Sequence, residues 1–482
     1  MLIRHSAIYV VAKVLPGLLG MVTTFFLTRL LVPEEYGLYG LALVIMSFGS
    51  AMGFEWIGLS FLRFYQARKD DPLIVSTFLQ LFLCMVLLTG VAAGGAALFG
   101  LIGAREAPLA LAGLVLMWAY AWFELTSKLE VGNFKPLRYF TMNMGRAVFS
   151  LAGAVIAAWL TRSPEITALG TAAGTVAGAL FGGFRGWRIG PRYFDVVLAR
   201  SVLAFGLPIA ASLALGTAIN TGTRALVGAL DSAAALGLYT AAFLLVQNCL
   251  AIVAAGIAAA GYSLAVRAVE SGDPLVARNQ LLANGSLLLA VMAPAAVGMA
   301  LTAQGIADTM VGPKFTAAVA ELTPWMAVGT FFSTIRMHHL DHAFQLGRKP
   351  HLQVWVAAAT AIVVTGLSVW LIPRQGPVGA AMAITVAMFL SCGLAYVLGL
   401  RAFPIPLPYA AAVRVALACA AMAGVVLAIP GHSPGSLVLQ VVGGGVTYVA
   451  VCVTTNVLDS RAVMLRCARK MLRRPPASVQ TG

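Results

Sequence analysis

The chain has 482 residues, of which 60% are hydrophobic and only 10% charged, with a mean hydropathy of +0.90; soluble domains carry about 25% charged residues, so an ordinary water-soluble protein is excluded. The 32 Lys and Arg against 17 Asp and Glu leave a net charge of +15, which must be read by where the charges fall along a membrane chain before any acidic partner such as nucleic acid is inferred. There is no GxxxxGK[ST], HExxH or CxxC, so a nucleotide-driven pump, a zinc hydrolase and a dithiol redox enzyme lack their minimal parts, no cofactor is expected, and the six scattered cysteines read as small buried hydrophobes.

Arg4 precedes a long apolar stretch with no prompt small-residue cleavage site, which reads as a retained first span. A helix needs about 20 apolar residues to cross about 30 Å of hydrocarbon. That ruler predicts fourteen spans, at 8–28, 37–58, 74–99, 107–127, 140–160, 166–184, 201–222, 237–261, 282–303, 321–344, 353–372, 377–400, 411–430 and 436–457. Pro, Gly and charge clusters separate them, and no linker is long enough for a soluble domain. Pro16, Pro208, Pro294 and Pro324 fall inside spans and mark bends or breaks. Gly170, Gly174, Gly178 and Gly182 repeat every fourth residue in span 6, which predicts a face for close helix packing.

With the N-terminus in the cytoplasm, 23 basic residues fall in cytoplasmic segments, six of them in the tail 458–482. Only six, Arg29, Arg105, Arg162, Arg224, Lys314 and Arg374, fall on the opposite side. This asymmetry predicts an even number of spans with both termini cytoplasmic.

Ordered matches between distant segments point to an internal duplication. Leu15-Pro16, Thr28-Arg29 and Gly37-Leu38-Tyr39 recur as Leu207-Pro208, Thr223-Arg224 and Gly237-Leu238-Tyr239, at offsets of 192, 195 and 200. A second echo joins Trp159-Leu160 to Trp370-Leu371. The expected fold is an all-α integral membrane protein of two pseudo-symmetric six-helix lobes, 1–200 and 201–402, followed by spans 13 and 14 at 403–457 and the basic cytoplasmic tail 458–482.

The segment Thr28-Arg29-Leu30-Leu31-Val32-Pro33-Glu34-Glu35-Tyr36-Gly37-Leu38-Tyr39, after a first span containing Pro and Gly, resembles the opening of the polysaccharide flippases of the Wzx or PST type. These belong to the multidrug/oligosaccharidyl-lipid/polysaccharide exporter superfamily. Gln345-Leu346-Gly347-Arg348-Lys349 and Gly376-Pro377-Val378-Gly379-Ala380 are similar to that family's later spans. Where many members carry Asp-Arg at the end of span 7, this chain reads Thr223-Arg224. The resemblance implies a MATE-like fold and a flippase rather than an enzyme, in a bacterial inner membrane. It implies carriage of an undecaprenyl-pyrophosphate-linked oligosaccharide to the periplasmic leaflet, H+ or Na+ coupling, and polysaccharide polymerase or export proteins as partners.

Ionisable residues inside spans are costly and default to functional candidates. By helix rise, Lys13, Arg146 and Arg336 lie about 8, 9 and 12 Å in from the cytoplasmic ends of spans 1, 5 and 10. Facing one cavity, they would form a cationic ring suited to pyrophosphate oxygens; otherwise they snorkel or cap helix carbonyls. With Arg224 they are the candidate substrate-binding residues. Glu55 and Glu124, three residues from the cytoplasmic ends of spans 2 and 4, and Asp341 are the candidate ion-coupling residues. His338 and His342 at i,i+4 beside Asp341 admit a metal or proton relay as well as a hydrated helix end. Two rivals are a multidrug or cation exporter of the same superfamily and a membrane glycan polymerase or glycosyltransferase. The cations at depth speak against the first. A longest outer loop, 304–320, with only Asp308 and Lys314 as charges speaks against the second.

Overall fold

The computed structural model describes the backbone of residues 2–69, 71–183, 194–270 and 272–457, and their side chains except those of 2–14, Pro72, Ser212, 251–253, 255–263 and Pro274. These residues form helices and no strand. In chain order they are α1 Leu2–Leu30, α2 Pro33–Gly53, α3 Glu55–Tyr65, α4 Pro72–Leu98, α5 Ala107–Gly132, α6 Pro136–Thr161, α7 Pro164–Gly183 and α8 Val196–Leu230. The second half has α9 Ala233–Glu270, α10 Pro274–Leu301, α11 Ala303–Met310, α12 Thr316–Ile335, a π-helical turn Arg336–Leu340, α13 His342–Leu346, α14 Pro350–Leu400, α15 Tyr409–Ala428 and α16 Pro434–Thr454. Among the described residues, ten helices are long and apolar enough to cross a membrane. Large apolar side chains such as Leu87, Val91, Ile362 and Leu427 stand outward on them, an exterior suited to lipid rather than water.

Local chemistry sets the helix starts. Pro33, Pro72, Pro136, Pro164, Pro274, Pro350 and Pro434 each open a helix, where a fixed φ helps and a missing N–H leaves nothing unpaired. The Asp71, Asp195 and Asp273 carboxylates accept hydrogen bonds from the first-turn N–H groups of α4, α8 and α10. The helices run on through Pro16, Pro208, Pro294 and Pro324. The break comes at Gly376 instead, where φ 58° and ψ −142° divide α14 into two helices. The chain folds back there, since a Cβ on Gly379 would lie 2.5 Å from the Leu371 carbonyl oxygen.

Several spans depart from their predicted bounds, α8, α9 and α10 among them, and three bear on the site. Span 2 does not stop near residue 58: after an irregular Phe54 it continues as α3 to Tyr65. Span 4 extends to Gly132, and the tenth is interrupted by the π turn. In spans 2 and 4 charged residues, Arg63 in the one and Lys128 and Glu130 in the other, made a continuing helix read as a loop.

The glycine face of α7 does pack closely. A Cβ on Gly170, Gly174 or Gly178 would come within 2.1–2.4 Å of the α6 backbone at Gly153, Phe149 and Arg146. At the end of the molecule that holds the α1–α2 turn, called here the Pro33 end, one buried cluster joins both halves. It includes Leu27, Tyr36 and Tyr39 from the first and Leu236, Tyr239 and Phe315 from the second. Toward the other end, Phe61, Phe78 and Leu125 pack with Leu198 and Val202, so α8 begins against the first half. Its later residue Ile219 packs with Val364 and Ile384 of α14. Helices α15 and α16 pair with each other against α10, where the Tyr448 hydroxyl donates to the Ala290 carbonyl at 2.7 Å.

Candidate functional site: a charged cavity between the helix sets

A cavity of about 210 Å³ opens on the side of this seam away from the Pro33 end. Its walls come from α2 and α3 (Ser47, Ser50, Glu55, Gly58), from α5 (Tyr120, Glu124, Lys128) and from Thr217 of α8. Glu55 is the first residue of α3, where the break at Phe54 exposes helix N–H dipoles that favour a carboxylate. Tyr120, Glu124 and Lys128 follow one another at i,i+4 on α5, which puts all three on one face. Lys128 Nζ lies 3.3 Å from Glu124 Oε2. Behind Tyr120, the Arg146 guanidinium stands 5.8 Å from that ring and 4.9 Å from Phe123. The Arg146 backbone packs directly on α7, where a Cβ on Gly178 would lie 2.4 Å from the Arg146 Cα.

Glu55 and Glu124 are therefore deeper than the sequence suggests. Helix continues for ten residues beyond Glu55 and eight beyond Glu124, about 15 and 12 Å of rise. The two carboxylates line one cavity with Lys128, Tyr120 and Thr217, which sequence reasoning did not single out, while Arg146 stands behind the Tyr120 ring and not in the cavity wall. The i,i+4 spacing of Tyr120, Glu124 and Lys128 was the available signal.

Arg336 lies elsewhere, 6% exposed in the second half, with Nη1 3.8 Å from Asp341 Oδ2. The π turn makes this pair: the Asp341 N–H donates to the Arg336 carbonyl at 2.8 Å, five residues back. Gln353 donates to the same carboxylate at 3.3 Å. The wider turn buries His339, against Gly285, and leaves His338 half-buried. Among the described residues no group of three or more His, Cys, Asp or Glu is placed to hold a metal, so the histidine spacing does not make a metal site.

Arg224 is not a loop residue. It lies inside α8, 5% exposed, 4.9 Å from the Phe243 ring, with Nη2 3.3 Å from Thr221 Oγ1. Phe243 borders a small cavity of about 20 Å³ with Asn220, Gln247, Thr330 and Ser333. The Lys13 side chain lies outside the described residues, as do Arg185, Arg188, Arg192 and the tail 458–482. Arg146 and Arg336 line no common cavity among the described residues.

A family model described as "Polysaccharide biosynthesis protein" matches residues 26–320. No curated protein sequence matches the chain. Among solved structures, a lipid II flippase, MurJ, in an inward closed conformation is similar with TM-score 0.78 at 13% identity, covering 96% of this chain and 99% of its own. An inward-facing multidrug resistance MATE family transporter of the MOP superfamily is similar with TM-score 0.63 at 14% identity, covering 80% of this chain and 93% of its own. A MATE protein in complex with MaD3S gives 0.58 at 13%, covering 82% and 94%. The chain is thus a multi-pass, all-helical membrane protein with the fold of MurJ and the MATE transporters, and it belongs to the polysaccharide biosynthesis protein family.

Proposed function

We propose that the protein is a flippase. It carries an undecaprenyl-pyrophosphate-linked oligosaccharide from the cytoplasmic to the periplasmic leaflet of a bacterial inner membrane by alternating access, for cell-surface polysaccharide. The single observation that carries the reading is the polar cavity between helix sets packed directly against each other at the Pro33 end. The charge asymmetry of the loops assigns that sealed end to the periplasm and the cavity to the cytoplasmic half, with fourteen crossings and both termini inside. Membership in a polysaccharide biosynthesis family supports a glycan cargo, and the likeness to MurJ supports a lipid-linked one.

Lys13, Arg146, Arg224 and Arg336 are assigned to the pyrophosphate, and Glu55, Glu124 and Asp341 to a coupling ion, H+ or Na+. Of these cations Arg146 stands behind Tyr120, a residue of the cavity wall. Contact of Arg224 and Arg336 with the cargo requires a state in which the lobes have moved. A role beside a polysaccharide polymerase or export protein follows from the same reading.

One observation favours a second reading. Glu55 and Glu124 in the cavity wall suit an organic cation, as in a drug exporter. Proteoliposomes separate the two. Protein-dependent movement of a fluorescent lipid-linked oligosaccharide, with ethidium unmoved, is expected; ethidium transport without lipid flipping would establish the exporter.

A further inference from the structure

The internal duplication leaves a geometric trace at the Pro33 end. Gly37 of α2 and Gly237 of α9 are repeat equivalents, each four residues after the first residue of its helix. A Cβ on Gly37 would lie 1.7 Å from the Ala233 carbonyl oxygen and 2.9 Å from the Gly237 nitrogen. A Cβ on Gly237 would lie 2.0 Å from the Pro33 carbonyl oxygen and 2.9 Å from the Gly37 nitrogen. Farther along, a Cβ on Gly40 would lie 2.9 Å from Thr240 Oγ1. Positions 33, 37 and 40 therefore meet 233, 237 and 240 at one constant offset and reciprocally. That is the pattern of an isologous contact about a pseudo-two-fold axis.

The atoms in the way at 37 and 237 are first-turn backbone carbonyls, which have no rotamer to swing into. Closure of the lobes here leaves no room for even a methyl group. The ion pairs Arg68–Asp195, Glu124–Lys128, Glu130–Arg138 and Arg336–Asp341 lie away from this seam. Hydrogen bonds that would break on parting include those from Arg29 Nη2 to the Thr309 carbonyl, 3.2 Å, and from the Gly312 N–H to Thr28 Oγ1, 3.0 Å.

We propose that Gly37 and Gly237 form a reciprocal latch: the lobes close at the Pro33 end because neither position carries a Cβ, and one methyl at either position shifts the protein to the state open at that end. This rests on the reading that the lobes part there during transport. Alanine is the better helix former, so the substitution acts on closure and not on the helix.

The test uses Thr24→Cys as reporter in a chain whose six native cysteines are replaced. Thr24 is 1% exposed and lies one turn beyond Gly20, on the face of α1 where an added Cβ would meet Asn248 of α9 at 2.8 Å. Labelling with an impermeant maleimide from the Pro33 side reads opening directly, without cargo. Turning a minor state of about 0.1–10% into the main one raises the labelling rate by about tenfold to a thousandfold. Gly37→Ala and Gly237→Ala are each expected to do so, whereas Gly216→Ala, with nothing within 4 Å of the new Cβ, leaves the rate unchanged.

Should either latch variant fail to fold, Gly40→Ala decides. Its obstacle is a side chain, so Gly40→Ala is expected to raise labelling and Thr240→Ala in the same chain to restore the slow rate. Unchanged labelling in folded Gly37→Ala and Gly237→Ala, or fast labelling in Gly40→Ala that Thr240→Ala does not reverse, overturns the latch. Absence of lipid flipping by the unsubstituted protein overturns the flippase reading instead, whatever the labelling shows.

Discussion

Arg336 and Asp341 are worth more as a pair than either is alone. Both are buried, so Arg336→Ala strands the Asp341 carboxylate among apolar helices, at a cost of about 3–5 kcal/mol. The double change Arg336→Met with Asp341→Leu removes both charges and is expected to restore most of the melting temperature lost by Arg336→Ala in detergent. A double variant no more stable than the single one would count against a paired charge. At the cavity, Glu124→Gln keeps a polar group toward Tyr120 and Lys128 but cannot ionise. It is expected to remove the response of flipping to an imposed ion gradient while cargo binding persists, and an undiminished response would free Glu124 of coupling. Sequence reading named Arg336, Asp341, Glu55 and Glu124 but misjudged their settings. The Arg336 contact depends on one extra residue in a turn, and the carboxylate depths depend on helices that continue through charged stretches. Spacing alone encodes neither.

At the scale of elements, the spans were legible because each is apolar over a membrane's thickness, and the packing face of α7 because glycine recurred at helical spacing. The split inside α14 was legible as the boundary between the predicted spans 353–372 and 377–400, where Gly376 stands between two prolines. With φ 58° and ψ −142° that position belongs to glycine, and Gly376→Ala is expected to lower stability by about 1–3 kcal/mol, read as a drop in melting temperature. Where α8 begins was harder to read, because its first turn packs on the preceding half through side chains remote in sequence. Asp195 accepts from the Leu198 N–H at 2.9 Å and from Arg68 Nη1 at 2.9 Å. The backbone hydrogen bond, then Arg68, holds its pKa below the usual carboxylate value. A depressed carboxylate stabilises the fold while charged, so this contribution is present at neutral pH and is lost as pH falls through the folded-state value. Amide exchange at residues 196–199 is expected to speed up in Asp195→Ala at neutral pH, and to match the unsubstituted protein in strong acid. Equal exchange at neutral pH would show that the cap does not hold α8.

For the whole molecule, two positions matched at an offset of 200, Gly37 and Gly237, stand against each other at the Pro33 end, with the charged cavity toward the other. The pairing of Gly37 with Gly237 was readable because both stand in matched segments, Gly37-Leu38-Tyr39 and Gly237-Leu238-Tyr239. Which cations face the cavity was not, because nearly every helix face here is apolar and the pattern does not say which one turns inward. The most direct measurement is the outer-leaflet exposure of an undecaprenyl-pyrophosphate-linked oligosaccharide in unilamellar proteoliposomes, followed by glycosidase access over time. The account predicts that the cleavable fraction climbs beyond the outer-leaflet share with the purified protein, and climbs more slowly with Arg146→Ala. A cleavable fraction that stays at the protein-free level with well-folded protein, under an imposed proton or sodium gradient of either direction, would contradict it.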